Sequence, residues 1–218
     1  RHEGNRRNWN ANAASWKAER DRDGLWRRCP AEPDLAFEGE ALALIRDRIQ
    51  DLEGKQACVI GSGDNYAAFA LAGLGMQVTS VDISENQLAT ARERAEELGL
   101  EMEFVRSDAA QMSTIADASF DLVCSSNGFF VWIDDLPGVF GHVHRILRCG
   151  GHYVFYDIHP FQRPWKRQVT PLEMEQDYWT TGPFEDEADG TTEFHWMLSD
   201  LVNTLLGAGL QLAQIAES

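Results

Sequence analysis

Gly61 and Gly63 stand in the run Val59-Ile60-Gly61-Ser62-Gly63-Asp64-Asn65, between an apolar stretch of strand length and the start of a helical pattern. Glycine lets a backbone turn sharply and approach a ligand closely, and a helix N-terminus offers unpaired N–H groups. The spacing alone also fits a strand-to-helix turn with no ligand. Asp82 closes the next apolar run, 21 residues after Gly61, where a carboxylate can take ribose hydroxyls. Asp108 closes a third run in Arg106-Ser107-Asp108-Ala109. Each Asp by itself is also a good helix N-cap. Together, a glycine turn and two acids at neighbouring strand ends converge on one crevice.

The elements that would position these residues follow from the apolar periodicity. Runs of strand length (57–60, 78–81, 103–106, 120–125, 152–156) alternate with helical patterns at 66–74, 84–98, 136–147 and 199–206. Such alternation implies parallel strands joined by crossover helices, hence an α/β doubly wound, Rossmann-like, mostly parallel sheet with helices on both faces. Ser84 and Gln87 have capping-box spacing, and Gly99 sits where a helix wants a left-handed residue. Leu136, Val139, Phe140, Val143, Ile146 and Leu147 form one stripe, closed by Gly150-Gly151. Residues 1 to about 30 read as a helical, Trp-rich segment, and Leu42 to Leu52 as a second helix ended by Gly54. We therefore expect an N-terminal helical segment (1–54) covering the site and a core (55–218). Within that core, 158–192 carries Pro160, Pro164, Pro171 and Pro183 and reads as a lid-like, substrate-side insertion. Residues 210–216 alternate as a final strand.

Composition narrows the function classes. There are 35 acidic and 19 basic residues, a net charge of -16. That surface repels phosphate backbones and argues against a nucleic-acid substrate. Cys29, Cys58, Cys124 and Cys149 form no C-x-x-C pair, which fits neither a disulfide framework nor a zinc site and agrees with a reducing cytoplasm. No run of 18 apolar residues or secretory signal is visible, so no membrane partner is expected. The sequence begins at Arg1 rather than Met, and at Ser218 it stops after one strand where a hairpin is wanted, which leaves room for residues on either side.

The ordered series V-I-G-S-G-D-N, V-T-S-V-D-I-S, F-V-R-S-D-A, F-D-L-V-C-S-S-N-G and R-I-L-R-C-G-G-H-Y-V-F-Y resembles the motifs of class I S-adenosylmethionine-dependent methyltransferases. The resemblance spans about residues 56–217. It implies S-adenosylmethionine as cofactor, S-adenosylhomocysteine as product, and methyl transfer to a small-molecule acceptor by a monomer or homodimer. Carried over, the glycine turn (Gly61, Ser62, Gly63, Asn65) faces the methionine part. Asp82 with Ile83 takes the ribose, with Gln87 counted beside them, and Asp108 with Ala109 takes the adenine. Ser125 and Asn127 meet the methionine end, and Trp16, or Trp9, covers the cofactor. Two departures stand out. Val59 occupies a place that is often acidic, and Asn65 replaces a third glycine.

Methyl transfer from a sulfonium is an in-line displacement, so a protein chiefly aligns the partners and excludes water. A general base is needed only for a protonated acceptor. His159 and Asp157, past the fifth strand, are the candidates; the alternatives are a histidine that fixes the turn before Pro160 and an aspartate that caps. Phe129, Trp132, Tyr156 and Trp165 are candidate substrate-binding residues. No metal site is expected, since Asp134-Asp135 reads better as an N-cap pair. A nicotinamide-dependent oxidoreductase shares the glycine turn and second-strand acid, but puts Tyr66 at its third glycine and leaves Asp108 without a task. A non-catalytic cofactor-binding partner subunit is the third reading.

Overall fold

The computed structural model describes residues 2–64, 66–126, 128–166 and 170–217. Strands β1 (Gln56–Ile60), β2 (Gln77–Asp82), β3 (Met102–Arg106), β4 (Phe120–Ser125) and β5 (Leu147–Phe155) form a 5-stranded parallel sheet in the order β3-β2-β1-β4-β5. The order reverses between β1 and β4, so crossovers leave these neighbours in opposite directions and a crevice opens at their carboxyl ends. Near-continuous burial along β1 and β4 is what a parallel sheet covered on both faces requires.

Helices α1 (His2–Asp23), α2 (Ala41–Arg48), α3 (Tyr66–Gly73), α4 (Glu85–Leu98), α5 (Leu136–Ile146) and α6 (Leu198–Gly207) surround the sheet. α5 and α6 pack one face through Val139, Phe140, Val143, Ile146 and Leu201; α2 and α3 pack the other through Leu42, Ile45, Ala67 and Leu71. The Ser84 Oγ accepts the Gln87 N–H at 3.2 Å at the start of α4, and Gly99 ends it with φ of 66°. Among the described residues, no helix is long and apolar enough to cross a membrane.

Three expectations change. The glycine pair at 150–151 does not close α5. Instead β5 begins at Leu147, and its register against β4 jumps from Phe120↔Leu147 to Leu122↔His152. Gly150 has φ of 79°, and a Cβ on Gly151 would lie 3.0 Å from the Phe120 carbonyl oxygen, so the pair serves a bulge. Residues 210–217 form no strand. A strand gains its ladder only beside a partner, and among the described residues none pairs with this segment. Among its described residues the insertion, read as lid-like, forms a 3-10 turn (Pro160–Gln162), a bridge between Trp165 and Met174, and a short hairpin, β6 (Phe184–Glu185) with β7 (Thr192–Glu193), whose end packs behind the turn after β4. There Phe194 N–H donates to the Val131 carbonyl at 2.7 Å and Trp196 Nε1–H to that of Ile133 at 2.9 Å.

Candidate functional site

The glycine turn hangs on β2. Gly61 and Gly63 have φ of 59° and 51°, and a Cβ on Gly61 would lie 2.3 Å from Cδ2 of Phe129, so both backbone shape and room demand glycine. Ser62 Oγ meets Ser80 Oγ at 2.6 Å, which turns that hydroxyl into the sheet. Asp82 accepts the Gly63 N–H on Oδ2 (2.8 Å) and the Ser84 N–H on Oδ1 (2.7 Å), joining the turn to the start of α4. Enclosure by protein pushes the Asp82 carboxyl up to about 6, against the pull of those two amides.

At the end of β3, Asp108 accepts the Ala110 N–H (2.9 Å) and meets His2 Nδ1 at 2.6 Å; His2 Nε2 lies 2.7 Å from Asp134 Oδ1. The Asp108 bond raises the His2 pKa against the effect of burial. Burial acts to raise the Asp108 carboxyl, but the bonds from His2 and Ala110 outweigh it and hold it low. The capping role expected of the 134–135 pair falls to Asp135, which accepts the Gly138 N–H at 2.9 Å.

The wall after β4 is held from β5. Asp157 accepts the N–H groups of Gly128 (2.8 Å), Phe129 and Phe130 (both 3.0 Å) and Ile158 (2.7 Å). Burial raises its pKa despite these bonds. It shapes the wall and does not border the cavity. His159 Nδ1 accepts the Phe161 N–H at 3.2 Å and its Nε2 meets Glu217 Oε1 at 2.8 Å, so it fixes the turn at Pro160. Both candidate bases thus have structural partners, and neither borders the cavity, because β5 ends in a loop whose side chains cap backbone N–H groups.

α1 closes the crevice. Asn5 is bonded to Thr192 by both its amide groups (2.8 and 3.0 Å), and Asn10 Oδ1 accepts Ser84 Oγ–H at 2.6 Å. Trp9 meets Trp16 and Trp132 with centroids 6.1 and 5.4 Å apart. Arg94, 2 % exposed, donates to Asp64 Oδ2 (2.5 Å), Asp21 Oδ1 (3.0 Å) and the Lys17 carbonyl (3.2 Å), while Arg20 pairs with Asp64 Oδ1.

What remains is a cavity of about 320 Å³. Gly61, Ser62, Gly63, Asp82 and Ile83 border it, as do Gln87, Asp108 and Ala109. So do Trp16, Trp9, Phe129 and Trp132. Asn65 and Asn127 lie outside the described residues. Ser125 does not border the cavity: its hydroxyl bonds Tyr153 Oη at 2.8 Å, and the next residue, Ser126, borders it instead. Tyr156 points to the α2 side, donating to the Ala36 carbonyl at 2.8 Å, and Trp165 packs on Phe161 in the insertion. Among the described residues none of 158–192 borders the cavity, whereas His2, Asn5, Trp9, Trp16 and Arg20 of α1 do. Sequence reasoning missed His2, Asn5, Arg20 and Asp64. The signal of Arg20 was weak, since charged residues alternating in sign along 1–28 look like a solvated helix face.

Residues 58–155 match the family described as "Methyltransferase domain". The chain is 32% identical over 138 residues to a demethylmenaquinone methyltransferase of Thermus thermophilus, covering 63% of this chain and 56% of the relative. It is 25% identical over 132 residues to a ubiquinone biosynthesis O-methyltransferase of Cronobacter sakazakii, covering 61% and 54%. The chain thus spans little more than half the length of these curated relatives. Its fold resembles the crystal structure of an S-adenosylmethionine-dependent methyltransferase from Mesorhizobium loti, with TM-score 0.65, 23% identity, and 79% of this chain and 81% of that one covered.

Proposed function

We propose that this chain is a class I S-adenosylmethionine-dependent methyltransferase, which moves the cofactor's methyl group to a small-molecule acceptor. The reading rests on one observation: the glycine turn, Asp82 and Asp108 line a single cavity at the switch point of the sheet. The residues fit the cofactor. Gln87 Oε1 is buried there without a hydrogen-bond partner among the described residues, and a ligand donor would relieve that cost. In this reading Asp82 holds the ribose hydroxyls, Asp108 and Ala109 hold the adenine, and Gly61, Gly63 and Ser126 accommodate the methionine end.

When bound, the cofactor supplies an electrophilic methyl group on a sulfonium. The chain's own work is then alignment and exclusion of water, done by Trp9, Trp16 and Trp132 over the cavity. We read 1–54 as the cover and 55–218 as the core. The volume of about 320 Å³ lies at the lower end of ligand pockets, which run from about 300 to 1,000 Å³. That leaves room for roughly one ligand, and in this reading the acceptor enters as α1 shifts. The relatives' names, for demethylmenaquinone methyltransferase and ubiquinone biosynthesis, support a small-molecule acceptor. The net charge of -16 argues against nucleic acid.

Calorimetry with S-adenosylhomocysteine and NADH, followed by a search for S-adenosylhomocysteine formation with acceptors including demethylmenaquinone, tests the reading. We expect binding of the first ligand only, and turnover. Binding of NADH alone would overturn it, and binding without turnover on any acceptor would favour a non-catalytic subunit.

A further inference from the structure

Resting on that cofactor reading, we propose that Arg20 and Asp64 form a clamp for the zwitterionic amino-acid end of S-adenosylmethionine. An α-amino acid presents one carboxylate and one ammonium, and an enclosed site needs a partner for each. The position of β1 where the family often has an acid holds Val59, which is fully buried and offers no acceptor. The charged side chains bordering the cavity are His2, Arg20, Asp64, Asp82 and Asp108. Asp82 ends β2, Asp108 lies two residues past β3, and His2 is tied to Asp108. Among the described residues, Arg20 and Asp64 are the cation–anion pair that borders the cavity beside the glycine turn, where the resemblance puts the methionine part.

Their bonding leaves capacity for a ligand. A guanidinium carries five N–H donors, and the contact with Asp64 is made through Nη1. A carboxylate has about four lone-pair sites, and Asp64 uses one oxygen for Arg20 and the other for Arg94. Asp64 is 2 % exposed and Arg20 has 32 % of its side chain exposed, so one is fixed and the other adjustable. Arg94, itself balanced by Asp21, holds the carboxylate in place before a ligand arrives. The ligand carboxylate then takes Arg20 in the bidentate manner guanidinium favours, and the ammonium takes Asp64. Because Arg20 belongs to α1, the same contact fastens the cover onto the glycine turn.

The test is calorimetry with three ligands: S-adenosylhomocysteine, 5′-methylthioadenosine, which lacks the amino-acid end, and N-acetyl-S-adenosylhomocysteine, which lacks the positive charge. Arg20→Gln should weaken S-adenosylhomocysteine about 10- to 100-fold and leave methylthioadenosine within about threefold. The acetylated ligand should bind the unaltered protein at least about tenfold more weakly than the free amine. Lys17→Gln, which loosens α1 at an exposed pair with Glu93, should preserve the discrimination, and thermal melts confirm that each variant is folded. Equal weakening of both nucleosides by Arg20→Gln, or no change in either, overturns the clamp and leaves the cofactor reading standing. Equal binding of the acetylated and free amines overturns the Asp64 half. Failure of both nucleosides to bind the unaltered protein overturns the cofactor reading and the clamp with it.

Discussion

α1 and α5 are both helices docked on the same domain, and they are held by opposite means. α5 sinks Leu136, Val139, Phe140, Val143 and Ile146 into the core, an apolar stripe on one side. α1 is twice as long, 22 residues against 11, yet buries only Asn5 and Ala13. Its hold is polar: Arg6 on Glu85, Asn10 on Ser84 and Asn86, Lys17 on Glu93, Arg20 on Asp64, and Asp21 on Arg94. Apolar burial contributes about 1.5–3 kcal/mol per large side chain, whereas exposed ion pairs contribute about 0–1 kcal/mol. Polar bonds also exchange readily with water. A cover that must open for its ligand is better attached this way than by a greasy stripe.

The comparison can be broken at several strengths. Phe140→Ala should cost about 3–5 kcal/mol in chemical denaturation, because it empties a fully buried position of α5. Arg94→Met should cost about 3 kcal/mol, since it leaves Asp64 buried with one partner fewer. It should also speed amide exchange along α1. A loss below about 1 kcal/mol would mean that the polar interface has no costly element at all.

The pH dependence isolates the glycine side. Asp82 has a folded pKa of about 6, above the roughly 3.9 of an unfolded aspartate. The folded state therefore keeps a proton that the unfolded state has already lost. Asp82 favours folding most below about pH 4, and that contribution falls away as pH rises through about 6. Ligand hydroxyls want the carboxylate, so S-adenosylhomocysteine affinity should fall about tenfold per unit below pH 6, with Asp82→Asn weaker and flat. A flat profile for the unaltered protein would remove Asp82 from the ribose. The smallest effect is at Lys17→Ala, within about 0.5 kcal/mol. Raising salt from about 0.1 to 1 M shortens screening from about 10 to 3 Å, and should speed exchange in α1 but not in α5.

The same contrast explains what the sequence disclosed. The sheet, its crossovers and α5 follow from apolar period, which is local and large. The glycine turn and the acids at 82 and 108 lie at strand ends, and strand ends are readable. Of the serines at the end of β4, the Ser125 hydroxyl points to Tyr153 and Ser126 borders the cavity, because side chains alternate along a strand. Asp157 and His159 stand at a strand end too, yet a cap and a catalyst look alike until the amide partners are visible. The contacts of Arg94, Asp64 and Asn5 join residues 30 to 187 positions apart, and no local pattern encodes them.

Asn5 carries a last consequence. Its side-chain amide accepts from the N–H of Thr192 and donates to its carbonyl, as a neighbouring strand would. One side chain thus occupies the open rim of β7 and denies it to any extended segment that drifts past. A fragment lacking α1 would bare that rim beside the bared crevice, so self-association should rise with its concentration. The helix that borders the cavity thus also covers the rim of a strand.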